Sequence, residues 1–203
     1  MRNTRLFLLL VLFFLIAKSS AAQSSIMEGM EMGPTPGNIY LKMMDSMMVN
    51  MDKTPHASTV GNEFLSQMIP HHYGALAMAG YEIENGTDFK VKQIARSIAA
   101  EQKSEIMLMK GWLTSAEPVT DSVTRRYLDE MSATMSKMMT DMPENSKLDN
   151  ADRAFEQVMI PHHQAAIDMA RVLLKYSRNK SIRAYATQLI SNEELEIEQM
   201  KGL

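Results

Sequence analysis

The run Met68-Ile69-Pro70-His71-His72 returns letter for letter as Met159-Ile160-Pro161-His162-His163, 91 residues further on. The same offset pairs Met44 with Met135, Met47 with Met138, Met48 with Met139 and Met51 with Met142. It pairs Phe64 with Phe155, Ala75 with Ala166, Met78 with Met169 and Ala79 with Ala170. Further on it pairs Glu105-Ile106 with Glu196-Ile197, and Met109-Lys110-Gly111 with Met200-Lys201-Gly202. No gap is needed between Met44 and Gly111. Self-similarity at one fixed offset is the mark of an internal duplication, so the fold must be built from two copies of one unit. One copy buries too little surface to be comfortable alone, and the two must pack on each other.

The unit reads as three helices. Tyr40 to Asp52 carries Met44, Met47, Met48 and Met51 within roughly a quarter turn of one helix face. Lys53 to Gly61, with Pro55, breaks that pattern. A long helix runs from about Asn62 to Glu84, with Gly86 expected as a left-handed cap. Asp88 or Thr87 caps the next, which runs to about Leu113. Pro118 and residues 120–122 make the connection to the second copy. There the helices are expected over Asp121–Met142, Ala151–Tyr176 and from Lys180 nearly to the end, with Asp149 or Asn150 as a cap. No useful alternating strand pattern appears. The expected fold is all-α, an up-and-down four-helix bundle from two duplicated three-helix units, with short Met-rich helices alongside. The repeat units span about 40–113 and 131–203 within a helical domain of 39–203.

Ahead of the repeats, Arg2 and Arg5 precede an apolar run from Leu6 to Ala17, followed by Lys18-Ser19-Ser20-Ala21-Ala22. This is the pattern of a signal peptide covering 1–22, and the run is too short to span a bilayer comfortably. The expected location is periplasmic or otherwise exported, with no stable membrane insertion after cleavage. Residues 23–38 form a Gly/Pro-containing lead-in that carries Met27, Met30 and Met32, read as a flexible segment. Removing Arg2, Arg5 and Lys18 takes the formal net charge from −3 to −6, which argues against nucleic acid as a partner. The chain has no cysteine, so it has no disulfide, thiolate chemistry or cysteine-type metal site.

What remains is a methionine and histidine chemistry. There are 21 methionines, and four of the five histidines sit in the two His-His pairs. On an ideal helix Met68, His71, His72, Ala75, Met78 and Ala79 share a stripe of about 120°. Met68 and His72 stand four apart and can reach one ion, while the alanines leave room between ligands. The second copy arranges Met159, His162, His163 and Met169 in the same way. Thioether selects soft ions such as Cu(I), and imidazole suits copper in either state. The candidate metal ligands are therefore His71, His72, Met68, Met78, His162, His163, Met159 and Met169. Glu105, Met109, Glu196 and Met200 are further candidates, as ligands or as partners that orient an imidazole. Met44, Met48, Met135 and Met139 are candidates that serve equally well as core. His56 has Lys147 at its offset position and reads as a loop residue. Pro70 and Pro161 cost a helix interior about 3 kcal/mol each, so a kink before each His pair is expected. No Glu-x-x-His pair, zinc-protease helix, nucleophile elbow or phosphate loop is present.

These residues resemble the hallmarks of an exported bacterial domain-of-unknown-function family that includes a periplasmic copper-binding protein. One hallmark is Met-Ile-Pro-His-His with the following Ala and Met-Ala, as in Met68–Ala79 and Met159–Ala170. The other is Glu-Ile with a downstream Met and Trp-Leu, here Glu105-Ile106, Met109 and Trp112-Leu113. The second copy departs from it, ending Gly202-Leu203 without the tryptophan. The resemblance implies a ferritin-like bundle and, in some members, copper binding and resistance. The resulting expectation is a binding protein for copper, Cu(I) favoured, and Ag(I), serving metal sequestration, transfer or resistance. Its partners would be the metal ion and other copper-handling proteins. A copper oxidase or cupric reductase, and a helical interaction module without metal, are the alternatives.

Overall fold

Each of the six α-helices among the described residues starts on a side chain that accepts from its own first turn. Asn38 accepts from Tyr40 N and Thr59 from Asn62 N; Asp88 accepts from Lys90 N and Val91 N, and Thr124 from Tyr127 N. Asn150 accepts from Arg153 N, and Asn179 from Ser181 N and Ile182 N. Each such cap satisfies an amide with no helical partner and contributes about 1 kcal/mol. In this computed structural model, which describes residues 38–114 and 121–203, the caps open α1 (Ile39–Asp52), α2 (Val60–Asn85) and α3 (Phe89–Leu113). They likewise open α4 (Arg125–Asp141), α5 (Ala151–Tyr176) and α6 (Lys180–Lys201), with a 3-10 turn at Asn145–Lys147. Among the described residues there is no strand, and one isolated bridge joins Thr59 to Ser122. The signal-type segment, the lead-in up to residue 37 and the turn around Pro118 lie outside the described residues.

The chain is all-α, as the periodicity requires. Three details differ from expectation. The helix expected from Asn62 starts at Val60, because Thr59 caps it. The helix expected from Asp121 starts at Arg125, because residues 121–123 are held extended: Asp121 O accepts from Val60 N and Val123 N donates to Ser58 O, each at 3.1 Å. Gly86 is not a left-handed cap; its φ is −65°. Its need for glycine is spatial, since a Cβ there would lie 1.9 Å from Glu82 Oε1 and 2.7 Å from the Glu82 carbonyl.

The long helices pair as two hairpins, α2 with α3 and α5 with α6. Short turns make each hairpin antiparallel, as contacts between His72 and Glu105 and between His163 and Glu196 confirm. α2 also packs on α5, and α3 meets α6. Residues related by the 91-residue offset meet across these contacts. His71 stacks on His162, Gln102 Nε2 donates to Glu193 Oε1 at 3.1 Å, and Asn192 Nδ2 donates to Glu101 Oε1 at 2.5 Å. Only an approximate two-fold axis running between the halves brings equivalent positions face to face. Identical copies would set two carboxylates or two amides against each other there. The chain instead sets a carboxylate against an amide in each pair, which avoids like-charge contact.

The short helices close the outside. α1 lies on α2 and α4 on α5. The stripe Tyr40, Met43, Met44, Met47 and Met51 is buried on α1, and Tyr127, Met131, Met135 and Met138 on α4. Gly74 lets α1 approach closely, since a Cβ there would lie 2.8 Å from Met47 Sδ. The second copy has Ala165 at that place.

Candidate functional site

Adjacent residues on a helix diverge by about 100°, so a His-His pair cannot point both rings one way. The structure uses this. On α2 His71 points across to α5 and His72 points to α3; on α5 His162 points back and His163 points to α6. The four rings line up as His72, His71, His162 and His163, with successive centroids 6.4, 3.9 and 5.9 Å apart. The central two are stacked, 28° from parallel. All four have 0% exposure. The helices run unbroken through Pro70 and Pro161, so each proline removes one ladder amide without ending its helix.

Carboxylates hold both ends of the row. His72 Nε2 lies 2.7 Å from Glu105 Oε2, and His163 Nε2 lies 2.7 Å from Glu196 Oε2. A carboxylate only accepts, so Nε2 carries the proton in both rings. His162 Nε2 likewise donates to the His71 carbonyl at 3.1 Å. That leaves Nδ1 of His72, His162 and His163 buried and without a hydrogen-bond partner, and His71 with neither nitrogen partnered. Leaving a buried polar group unpaired costs about 1–3 kcal/mol. A structure that carries several in one row demands an explanation.

Electrostatics divide the row. Burial holds His71 well below the ordinary histidine range, helped by the neighbouring charges of His72 and His163. Burial does the same to His162, with His71 next in effect, against the weak support of the His71 carbonyl. His163 goes the other way. Burial disfavours its charge, but the carboxylates of Glu193, Glu196 and Glu101 outweigh it and raise its pKa. Glu193 itself is pushed up to about 8, first by burial. Burial thus keeps the two central rings neutral, while carboxylates gather around the ring at the α6 end.

Of the other sequence candidates, Met68, Met78, Met159, Met169, Met109 and Met200 are all buried in the same core as the histidines. Met44 and Met135 are buried on the short helices, Met48 is half-buried, and Met139 is 37% exposed. Among the described residues no three His, Asp or Glu side chains converge as a ready-made cage. His56 lies in the loop before α2, where its Nδ1 contacts Glu63 Oε1 at 2.8 Å. Sequence reasoning missed two sets of residues. Gln102, Glu193, Glu101 and Asn192 are polar residues at matched offset positions, the places where a duplicated unit meets itself. Tyr185 approaches the His72–Glu105 pair, and its signal is a break in the repeat, where Ile94 stands at the equivalent position.

Two paired helical hairpins around a buried row of imidazoles, each end held by a glutamate, define the class. The chain belongs to the domain of unknown function family DUF305, whose model matches residues 61–203. Among solved structures it is similar to CopM in the Ag-bound form, with 29% identity and a TM-score of 0.52 over 70% of this chain and 92% of that one. It is similar to CopM in the Cu(II)-bound form at 27% identity and the same TM-score, over 70% and 93%. A DUF305 fragment from Deinococcus radiodurans shares the fold, with 24% identity and a TM-score of 0.51 over 73% of this chain and 97% of the fragment. A comparison with curated proteins finds none similar to the chain.

Proposed function

We propose that the protein binds soft monovalent copper, and silver as its analogue, for sequestration or hand-over outside the cytoplasm. The observation that carries this reading is the set of buried imidazole nitrogens without hydrogen-bond partners. Neutral imidazole with a free lone pair is a metal ligand, and a glutamate on the far nitrogen fixes the tautomer and makes the ring a better donor. Glu105 and Glu196 do this for His72 and His163. His71 and His162 are kept neutral by burial, as a ligand must be. The likeness to CopM, solved with silver and with Cu(II), supports the same chemistry.

Thioethers supply the softness. Met68, Met78, Met159 and Met169 line the same helices within two turns of the histidines and are buried with them. In this reading sulfur completes the ligand set, and the stacked central rings turn to join in. The lead-in methionines Met27, Met30 and Met32 would serve capture, and the signal-type segment would deliver the protein to an exported compartment. Among the described residues no helix is long and apolar enough to cross a membrane.

The test is a Cu(I) titration of untagged protein against a competing chelator. Replacing Met68 and Met78 by Leu conserves volume, costing under about 1.5 kcal/mol per site. This pair of changes should lower Cu(I) affinity more than Cu(II) affinity. Cu(I) binding unchanged both in this variant and in a His71→Ala/His72→Ala variant would refute the site.

A further inference from the structure

The two ends of the histidine row carry the same His–Glu pair but different surroundings. At the first end, Glu105 Oε2 accepts from two donors, His72 Nε2 at 2.7 Å and the Tyr185 hydroxyl at 3.0 Å. The same hydroxyl lies 3.4 Å from His72 Nε2. The ring of Tyr185 is fixed edge-on to Trp112 at 5.4 Å and to Phe64 at 6.4 Å. Burial and the Glu105 charge hold its phenol neutral, so it is a donor here and not an anionic ligand. At the second end Glu196 Oε2 accepts from His163, and its Oε1 is buried without a partner. The position equivalent to Tyr185 is Ile94, which has no hydroxyl to offer.

We propose that Tyr185 is a positioning residue that makes the two ends unequal toward a soft monovalent cation, holding the His72 end closed so that the His163 end fills first. This rests on reading the row as a metal site. Two effects act in the same direction. A carboxylate oxygen shared between two donors pulls less on the proton of His72, which leaves Nδ1 the poorer donor. The rings must also reorient to admit an ion, and the end with more hydrogen bonds to disturb resists more.

Silver nitrate tests this on the untagged protein, because Ag(I) is diamagnetic and each histidine can be followed by 15N NMR. The Nδ1 resonance of His163 should reach its bound position at lower silver than that of His72. Tyr185→Phe should tighten the His72 end about three- to tenfold, the worth of one hydrogen bond, and narrow the gap while leaving the His163 end in place. Ile94→Tyr, which offers a hydroxyl at the equivalent position, should weaken the His163 end. Equal filling of the two ends in the unaltered protein, or His72 filling first, overturns the role of Tyr185. So does a Tyr185→Phe variant whose order and midpoints do not change. The order in the unaltered protein decides the matter even where a variant fails to fold. Absence of any silver uptake overturns the metal reading itself, and this proposal with it.

Discussion

The two halves of this molecule share one plan and diverge where they would otherwise collide or compete. The α2–α3 half ends in a buried acid cluster. Tyr40 donates to Glu82 at 2.6 Å, and Glu82 faces Asp152, which accepts from Thr87 N, Thr87 Oγ1 and Asp88 N at 2.7–2.8 Å. Burial pushes Glu82 up to about 7, and the Asp152 charge adds to this against the pull of Tyr40. Burial also works to raise Asp152, but its donors, led by Thr87, bring it down to about 2. The α5–α6 half has Leu173 at the place of Glu82 and Ser177 at the place of Gly86. The lesson is that positions matched at the 91-residue offset carry the frame and the histidine row, while departures from the match set charge and proton affinity.

The largest effect should come from separating the halves. A chain of residues 38–114 alone exposes the stacked face of His71, the Gln102 amide and the apolar faces of α2 and α3. It should show no cooperative melting by circular dichroism. A cooperative, monomeric fold would break the claim that each half depends on the other.

Gly86→Ala comes next. The new methyl would meet both the side chain and the backbone carbonyl of Glu82, so the last turn of α2 must shift. A loss of about 1–3 kcal/mol is expected in urea unfolding, against under about 1 kcal/mol for Ser177→Ala at the equivalent place. Similar losses would mean that Gly86 is not held by the Glu82 cluster.

The same cluster sets a pH dependence that the equivalent place around Leu173 lacks. Between about pH 4.5 and 7 the unfolded chain ionises Glu82 while the folded chain keeps it protonated. Stability contributed by that proton is therefore lost as pH rises through this window. Glu82→Gln keeps an acceptor for Tyr40 and has nothing to ionise. Above neutral pH it should be the more stable form by about 1–2 kcal/mol, and near the acid end of the window the two should converge. Glu193, raised to about 8, leaves a residual slope of the same sign in both proteins. An identical pH profile for the two proteins would remove Glu82 from the account.

Much of this was legible in the sequence. The all-helical class follows from the periodicity, and Ala151–Tyr176 follows its periodic stripe to the residue. The His–Glu pairing was readable as well, because Glu105 and Glu196 stand at matched positions one helix after each His pair. The Gly86 conformation was not readable, since its cause is a carboxylate folded over it from four residues earlier. Nor was the stacking of His71 on His162, because the position of the two-fold axis is set by packing between hairpins and not by any local signal. Tyr185 was hidden for the same reason: it belongs by chain to α6 but serves a histidine of α2.

The proposed metal site stands or falls on which atoms would hold the ion. X-ray absorption of the Cu(I)-loaded, untagged protein resolves nitrogen from sulfur neighbours. A shell containing both, with sulfur lost in a Met68→Leu/Met78→Leu/Met159→Leu/Met169→Leu variant and nitrogen kept, is the predicted result. A shell of nitrogen and oxygen alone, or a sulfur signal unmoved by those four replacements, would contradict it.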